Sequence, residues 1–330
     1  MKKGDIFEAR IETIEFPNKG IVHIDGEKTV IKNGIPGQLV RAGISKKRKG
    51  KCEARLLEVL DPSPLEQQKL CCPHGGICGG CLYQGLPYEE QLKIKEQQVR
   101  QLLDPVCEPG TYVFEPIKGS PLPEAYRNKM EFSFGDTCKD GPLALGMHKR
   151  GSFYDIVTTS HCRIVHSDVC RILEETLAYF QNLGVGYYRK LQHTGYLRHL
   201  LVRRGVKTGE ILVALVTSSQ TETLPDQETA VLAGWRDRML GLEEREERST
   251  ESKQESVSGE QKLEGVIAGI LHIRNDSLAD VVQSDGTEIL YGRDYLYEEL
   301  LGLKFKITPF SFFQTNSLGA EVLYDTVRSY

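Results

Sequence analysis

Three cysteines lie close together in the segment CPHGGICGGC, residues 72–81. Cys72, Cys78 and Cys81 follow the spacing C-x5-C-x2-C, and Cys71 stands directly before them. Thiolates are soft ligands that suit zinc and iron–sulfur clusters. Structural zinc usually takes two ligand pairs, whereas a local triplet with one distant cysteine is typical of [4Fe–4S] clusters. The spacing favours a cluster and leaves zinc or a group of unligated thiols open.

The fourth ligand of such a cluster must come from another cysteine. Cys71 is disfavoured, because neighbouring side chains rarely reach two corners of one cluster, and Cys170 falls within a predicted amphipathic helix. Cys162, in TTSHCRIV, is expected in a loop between a strand and that helix, which makes it the best candidate. His74 and His161 flank the cysteines and keep zinc open. The weaker candidates are Cys107 and Cys138.

Length and composition describe an ordinary globular protein of two or three domains. The chain has 330 residues, of which 39% are hydrophobic and 27% charged. No apolar run approaches the roughly 20 residues that span a bilayer, and the start MKKGDIFEARIETIEF is not a signal peptide. Nine cysteines without an export signal indicate a reducing cytosol. We therefore expect a cytoplasmic protein without a membrane segment.

The net charge of −4 conceals two segments of opposite sign. Residues 1–60 carry 13 Lys/Arg and 8 Asp/Glu, and their short alternating strands predict a small OB-like β-barrel with a nucleic-acid-binding face. A basic run between two of these strands is expected in a loop that contacts phosphate, with a solvated loop as the alternative. The run comprises Lys46, Lys47, Arg48, Lys49 and Lys51. Residues 241–264, with 8 acidic and 4 basic side chains, predict an exposed, mobile insertion.

The middle of the chain predicts an α+β domain, because strand-like segments surround a helical pattern. The helix HSDVCRILEETLAYFQNLG is expected to have Ser167 or Asp168 as its N-cap and Gly184 as its stop. Further helices are expected at 87–103, near 228–240 and at 317–329. The expected strands lie at 129–136, 144–151, 153–159, 197–205, 209–218 and 266–275.

Several cations and aromatic side chains have two readings. Side chains beside the predicted strands are equally consistent with ion pairs, solvated faces or RNA contacts; they are Arg127, Lys129, Arg198, Arg203 and Arg204. The aromatic side chains of FSFF, residues 310–313, are expected to pack in a core rather than to stack on bases. They are Phe310, Phe312 and Phe313. Gln314 reads most simply as the cap of the helix that follows it.

The full set of motifs resembles the iron–sulfur-containing RNA uracil-C5 methyltransferases that act on 23S rRNA. The matching segments follow the basic N-terminal barrel, which looks like a TRAM domain, and together cover essentially the whole chain. They are CPHGGICGGCLYQ, YRNKMEFSFG at 126–135, LGMHKRGSFYDIV at 145–157 with the pair at 161–162, TGYLRHLLVRRG at 194–205 and ITPFSFFQTN at 307–316.

The resemblance implies a multi-domain fold and a set of ligands. A TRAM-like β-barrel would occupy residues 1–60, an iron–sulfur α+β domain 65–302, and the start of a Rossmann-like methyltransferase domain 303–330, on which the helix at 87–104 would pack. The family's cluster ligands fall on Cys72, Cys78, Cys81 and Cys162. Its S-adenosylmethionine-contacting glutamine falls on Gln314. RNA contacts become more plausible at Arg127, Lys149 and Arg150.

The implied reaction is methylation of uracil C5 in 23S rRNA by a monomer. In the family, a cysteine adds to C6 of uracil, C5 takes the methyl group of S-adenosylmethionine, and a general base removes the C5 proton. The family places that cysteine and that base after the FSFFQTN segment, so we expect them beyond Tyr330 and expect residues 1–330 alone to be inactive. The alternatives are a tRNA uracil-C5 methyltransferase and a non-catalytic RNA-binding protein with a structural metal site.

Overall fold

The computed structural model of the chain describes residues 1–48, 50–67, 72–108, 110–244, 262–279 and 281–330. The chain divides into two compact units. The first unit combines Met1–Cys71 with Cys81–Gly119, and the second combines Cys72–Gly80 with Ser120–Tyr330. Within the described ranges, no helix has the length and apolarity needed to cross a membrane.

The first unit is built on one six-stranded sheet. Its strands are β1 (Ile6–Arg10), β2 (Thr13–Glu15), β3 (Lys19–Ile24), β4 (Glu27–Lys32), β5 (Leu39–Arg48) and β6 (Lys51–Asp61). The strand order is β1-β5-β6-β4-β3-β2. The two edge strands, β1 and β2, therefore follow each other directly in the sequence. Ile11 lies between these strands and exchanges backbone hydrogen bonds with Gln38 and Gly37, each at 2.8 Å. The sheet therefore curls back on itself and leaves little free edge.

Alternation along these strands places the apolar residues on one side. Ile31, Val40 and Ala42 are fully buried in a common core, while the charged residues between them face outward. The two-residue turn between β3 and β4 has positive φ at both Asp25 (51°) and Gly26 (75°), as the favoured hairpin turn requires.

The helix α1 (Tyr88–Leu103) belongs to the first unit. Its residue Ile94 is buried together with Ile14 and Ile35, so this face packs on the first sheet. The expected packing of α1 on a methyltransferase domain stays a prediction for the rest of its surface. Val99 and Leu102, on the remaining surface of the helix, are 43% and 54% exposed.

The second unit is built on a seven-stranded, mostly antiparallel sheet of order β13-β12-β11-β10-β7-β8-β9. Its strands are β7 (Lys129–Asp136), β8 (Leu143–His148), β9 (Ile156–Thr158), β10 (Leu197–Arg204), β11 (Glu210–Thr217), β12 (Val266–Arg274) and β13 (Gly286–Gly292). The central strands β10 and β11 are buried on both faces, which explains their nearly continuous apolar sequence.

Two helices cover one face of this sheet, α2 (Ser167–Leu183) and α3 (Glu228–Glu244). Gly184 ends α2 with φ of 67°, as predicted. The N-cap is His166, whose side chain accepts a hydrogen bond from the backbone N–H of Asp168, so the predicted cap at Ser167 or Asp168 is wrong. Leu242 in the last turn of α3 is fully buried, so the predicted exposed insertion does not begin at residue 241. Residues 245–261 of that insertion lie outside the described residues.

The opposite face of the sheet is covered by the hairpin β14 (Leu296–Leu300) and β15 (Leu303–Ile307). Leu300 pairs with Leu303 across the turn, so the predicted domain boundary between residues 302 and 303 divides one hairpin. The helix α4 (Ser317–Ser329) follows, with the predicted bounds. Residues 303–330 thus belong to the second compact unit.

Candidate functional site

The segment Cys72–Gly80 brings thiols of the second unit together. Cys72 is buried and its Sγ donates to the carbonyl oxygen of His161 at 4.0 Å, next to Cys162 in the chain. Burial raises the pKa of the Cys162 thiol, and the neighbouring Cys72 and Cys78 raise it further. Burial likewise raises the pKa of Cys78, with a smaller contribution of the same sign from Cys72. Three of the four predicted ligands, Cys72, Cys78 and Cys162, are therefore close enough for the charge of one thiolate to raise the pKa of another.

Two glycines shape the backbone around these thiols. Gly79 donates its N–H to the carbonyl oxygen of His148 at 2.9 Å, and a Cβ at this position would lie 3.0 Å from the same oxygen. The N–H of Gly80 points at the Sγ of Cys78 at 3.4 Å. Close backbone approach and an amide N–H directed at sulfur are what a loop around an anionic sulfur cluster requires.

Three of the remaining cysteines differ in burial and in the unit to which they belong. Cys81, the fourth predicted ligand, is half-buried and belongs to the first unit. Cys170 is buried in the core of the second unit, and burial raises its pKa to about 12, which fits the predicted role of a small core residue. Cys138 is exposed, and Cys71 lies outside the described residues.

The histidines beside the thiols are engaged with the protein itself. The backbone N–H of His161 donates to Nε2 of His74 at 3.2 Å, and the two rings lie 6.3 Å apart. That hydrogen bond engages the Nε2 lone pair of His74. The better donors here are therefore the thiols, and thiolate ligands suit zinc as well as an iron–sulfur cluster.

Among the described residues, the one group of three possible ligands with its ligand atoms within 4.8 Å of one another is His166, Asp168 and Glu264, not the predicted cysteines. The Asp168 carboxylate, however, already accepts hydrogen bonds from Arg204 and from the backbone N–H groups of Glu264 and Gly265. These donors neutralise the carboxylate, so this group ties the unit together rather than offering a cation site.

Gln314 lies in the connection between β15 and α4. The cap of α4 is Asn316, whose Oδ1 accepts from the backbone N–H of Gly319 at 2.8 Å, so the capping role considered for Gln314 is wrong. Its backbone carbonyl is held by Nδ2 of Asn128 at 2.8 Å. The half-buried Gln314 side chain makes no hydrogen bond to the other described residues. A fixed backbone with an available amide suits contact with a small ligand.

The segment around Arg127 connects the thiol loop to the Gln314 segment. The backbone N–H of Arg127 donates to the carbonyl oxygen of Ile164 at 2.8 Å, two residues beyond Cys162. The next N–H, of Asn128, donates to the carbonyl oxygen of Thr315 at 2.9 Å. The Nε of Arg127 donates to the carbonyl oxygen of Lys129 at 3.0 Å, so part of this guanidinium serves the fold.

The basic run of the first unit lies on strands, not in the predicted loop. Arg48 ends β5 and pairs with Lys51 at the start of β6, while Lys49 lies outside the described residues. Lys47 forms an ion pair with Glu27 at 2.5 Å, and Lys46 lies 3.9 Å from a carboxylate oxygen of Glu53. Arg48 and Lys51 form no ion pair with the described residues, so they are available cations at the turn of this hairpin.

Three arginines of β10 serve the fold and do not face RNA. Arg198 is 4% exposed and donates to the carbonyl oxygens of Asn275, Ser277 and Ala279 at 2.6–3.0 Å. Arg203 is 3% exposed and donates to the carbonyls of Pro309 and Ser311, and burial lowers its pKa to about 10. Arg204 binds Asp168. The reading of these cations as possible RNA contacts is thus wrong, because local sequence does not reveal these distant acceptors.

The aromatic group near Gln314 packs only in part. Phe313 contacts the core under the β14–β15 hairpin, as expected. Phe310 and Phe312 are 47% and 89% exposed, so the prediction that they pack in a core is wrong.

Comparison with known proteins shows the family. The chain is 45% identical over 330 residues to an uncharacterized RNA methyltransferase of Clostridium tetani, and covers 66% of that relative. It is 42% identical over 332 residues to an uncharacterized RNA methyltransferase of Caldanaerobacter subterraneus subsp. tengcongensis, and covers 67% of it. No protein-family model matches. The chain belongs to the RNA methyltransferase family and spans about two thirds of the length of these relatives.

The fold is shared with solved structures. The crystal structure of Pyrococcus abyssi tRNA (uracil-54, C5)-methyltransferase with S-adenosyl-L-homocysteine superposes with a TM-score of 0.67, at 21% sequence identity. The match covers 98% of this chain and 64% of the other. The chain therefore shares the fold of that structure.

Proposed function

We propose that this protein serves S-adenosylmethionine-dependent methylation of uracil C5 in RNA, with 23S rRNA as its substrate. The observation that carries the proposal is the group of thiols of the second unit, joined through the Arg127–Asn128 backbone to the Gln314 segment. The relatives are RNA methyltransferases, and a uracil-C5 methyltransferase has the same fold.

The proposed cofactors have donors of suitable chemistry in the chain. Cys72, Cys78, Cys81 and Cys162 would hold a [4Fe–4S] cluster, which would cross-link the chain segments that carry these thiols. Methyl transfer from a sulfonium needs no electron, so the cluster's role is structural. The Gln314 amide would contact S-adenosylmethionine, and none of the described residues is assigned as nucleophile or general base.

The proposed RNA contacts are the exposed or partly exposed cations of both units. In the first unit these are Arg48 and Lys51 at the tip of the β5–β6 hairpin, with Lys46 and Lys47 beside them. In the second unit, Lys149 is exposed, and Arg127 is half-buried. Arg150 is half-buried, and its backbone N–H donates to the carbonyl oxygen of Ile77 in the thiol loop at 2.7 Å. We therefore assign Arg150 to the thiol loop and keep the other cations as RNA contacts.

A gene deletion followed by measurement of 5-methyluridine tests the proposed function in the cell, where no part of the protein has to be purified. Mass spectrometry of nucleosides from separated 23S rRNA and tRNA should show loss of 5-methyluridine from 23S rRNA. Loss from tRNA alone would establish the tRNA alternative. Unchanged 5-methyluridine in both fractions would refute uracil methylation and leave a non-catalytic RNA-binding protein.

Complementation of the deletion tests the assigned residue. The gene carrying Gln314→Ala should restore less than about a tenth of the 5-methyluridine, a loss of transition-state binding of about 1.4 kcal/mol or more. The gene carrying Gln192→Ala, at an exposed glutamine, should restore it fully. Equal restoration by both variants would remove Gln314 from the cofactor site.

A further inference from the structure

The turn between β8 and β9 exposes two adjacent aromatic side chains. Phe153 is 85% exposed and Tyr154 is 57% exposed. Neither ring forms a stacking or cation–π contact with another of the described residues. Burying such rings is strongly favourable, so a turn that keeps both in water offers contact area to something else.

The backbone of this turn is held by its own hydrogen bonds. Lys149 N–H donates to the carbonyl oxygen of Asp155 at 2.9 Å, and Ser152 N–H donates to the carbonyl oxygen of Lys149 at 3.0 Å. The Ser152 hydroxyl accepts from the N–H groups of Tyr154 and Asp155 at 3.2 and 3.1 Å. The two rings therefore project from an ordered backbone, and a ligand that stacks on them pays little ordering entropy.

The thiol loop supports the same turn. Arg150 N–H donates to the carbonyl oxygen of Ile77 at 2.7 Å, and Cys78 faces Lys149 as an antiparallel bridge. The loop thus pairs with the end of the β8 segment through a single β-bridge. Ile77 is 53% exposed and adds an apolar side chain to the segment beside the turn.

The charge beside the rings selects the kind of partner. Lys149 is exposed, and no carboxylate of the described residues pairs with it. The rings of Tyr295 and Tyr297 in the same unit differ from those of the turn, because ammonium groups cover their faces. Lys306 lies 4.1 Å from the Tyr295 ring and Lys304 lies 3.9 Å from the Tyr297 ring. Free ring faces next to an unpaired cation match the alternating bases and phosphates of single-stranded nucleic acid.

We propose that the turn at 149–154 binds unpaired bases of the RNA substrate, with Phe153 and Tyr154 as stacking platforms and Lys149 as a phosphate contact. The inference rests on the proposed function, because it assumes that the substrate is RNA. In this proposal the thiol loop, through its contacts with Lys149 and Arg150, also sets the position of an RNA contact. Duplex RNA does not offer unstacked bases, so the turn reads single-stranded segments.

The test measures binding of the purified chain, prepared without oxygen, by fluorescence anisotropy. The probes are an oligouridylate of roughly 16 nucleotides and an abasic strand of the same length and charge. The double variant Phe153→Ala/Tyr154→Ala should bind oligouridylate about tenfold more weakly and the abasic strand equally well within about twofold. Phe153→Trp should keep wild-type affinity, and Leu191→Ala, at an exposed turn elsewhere, should change neither.

Each outcome bears on a separate statement. Unchanged oligouridylate affinity in the double variant, with wild type binding normally, overturns the stacking role and leaves the proposed function intact. Equal weakening for both probes also overturns it, because a lost phosphate contact or a distorted turn would act on both. Wild-type protein that binds neither probe contradicts RNA binding by this chain as well. Circular dichroism and thermal melting of the variants show whether the fold is kept.

Discussion

The carboxylate of Asp168 accepts a hydrogen bond from Nε of Arg204 at 2.9 Å, and the Asp168 side chain is fully buried. The same carboxylate lies 3.3 Å from Arg171 and accepts the backbone N–H groups of Glu264 and Gly265 at 2.9 and 3.0 Å. It thereby joins α2, the end of β10 and the chain that enters β12. One carboxylate fixes three segments that are far apart in sequence.

Replacing Asp168 by asparagine should destabilise the second unit strongly. The variant removes the counter-charge of the largely buried Arg204, which costs about 3–5 kcal/mol of the free energy of unfolding. Urea denaturation followed by circular dichroism measures the change. Asp237→Asn, at a side chain that is 63% exposed, is the matched control and should cost less than about 1 kcal/mol. A similar loss in both variants would contradict the assignment of Asp168 as the central contact.

Asp168 should also make stability depend on pH. Burial alone would raise its pKa, but His166 at 3.2 Å and the hydrogen bonds from Glu264 and Arg204 outweigh burial and hold the pKa well below its usual range. A lowered folded-state pKa contributes stability above the unfolded value of about 4, and that contribution is lost as the pH falls toward the folded pKa. The difference in unfolding free energy between wild type and Asp168→Asn should therefore shrink from about pH 6 to about pH 3.5. A constant difference over this range would contradict the lowered pKa.

The proposed cluster predicts which cysteines carry iron. Serine at Cys72, Cys78 or Cys162 should abolish bound iron and acid-labile sulfide, because a hard hydroxyl replaces a thiolate ligand. Elemental analysis and visible absorption of protein purified without oxygen measure this. Cys138→Ser, at an exposed cysteine, should retain the metal. Zinc in wild-type protein, without sulfide, would replace the cluster by a zinc site.

Arg203 should be needed for the turn that precedes Gln314. Its guanidinium donates to the carbonyl oxygens of Pro309 and Ser311 at 3.0 and 2.5 Å, an arrangement that a single ammonium does not reproduce. Arg203→Lys should lower the free energy of unfolding by about 2–3 kcal/mol and speed hydrogen exchange at 308–316. The control is Arg189→Lys, because that arginine is half-exposed in a 3.5 Å ion pair. Unchanged exchange at 308–316 would show that other contacts hold the turn.

The β5–β6 hairpin should contribute to the salt dependence of RNA binding. Arg48→Gln/Lys51→Gln removes two cations without ion-pair partners among the described residues, so the slope of log K against log salt should fall by about 1.4 for a single strand. Anisotropy titrations at several salt concentrations provide the slope. Lys28→Gln is the control, because Lys28 is paired with Glu15 at 2.6 Å. A slope equal to that of wild type would remove the hairpin from the RNA interface.

Local patterns in the sequence were sufficient to predict the bounds of many helices and strands. The strand Lys129–Asp136 and the helix Ser317–Ser329 have the bounds expected from apolar period and turn residues, and Gly184 ends α2 as expected. The thiol spacing also indicated soft-ligand chemistry without any structure. These features depend on residues within a few positions of one another, where propensity and periodicity act directly.

Tertiary structure alone decided what the buried charges do. Arg203 reaches acceptors more than a hundred residues away, and Asp168 binds amides 96 and 97 residues away. A lone arginine beside a strand has the same local pattern whether it faces solvent, RNA or a buried carbonyl. The sequence by itself determined the helices and the main strands, and it predicted the soft ligands. Folding decided which cations stay available to RNA, because desolvation and long-range hydrogen bonds are set by chain segments that meet only in three dimensions.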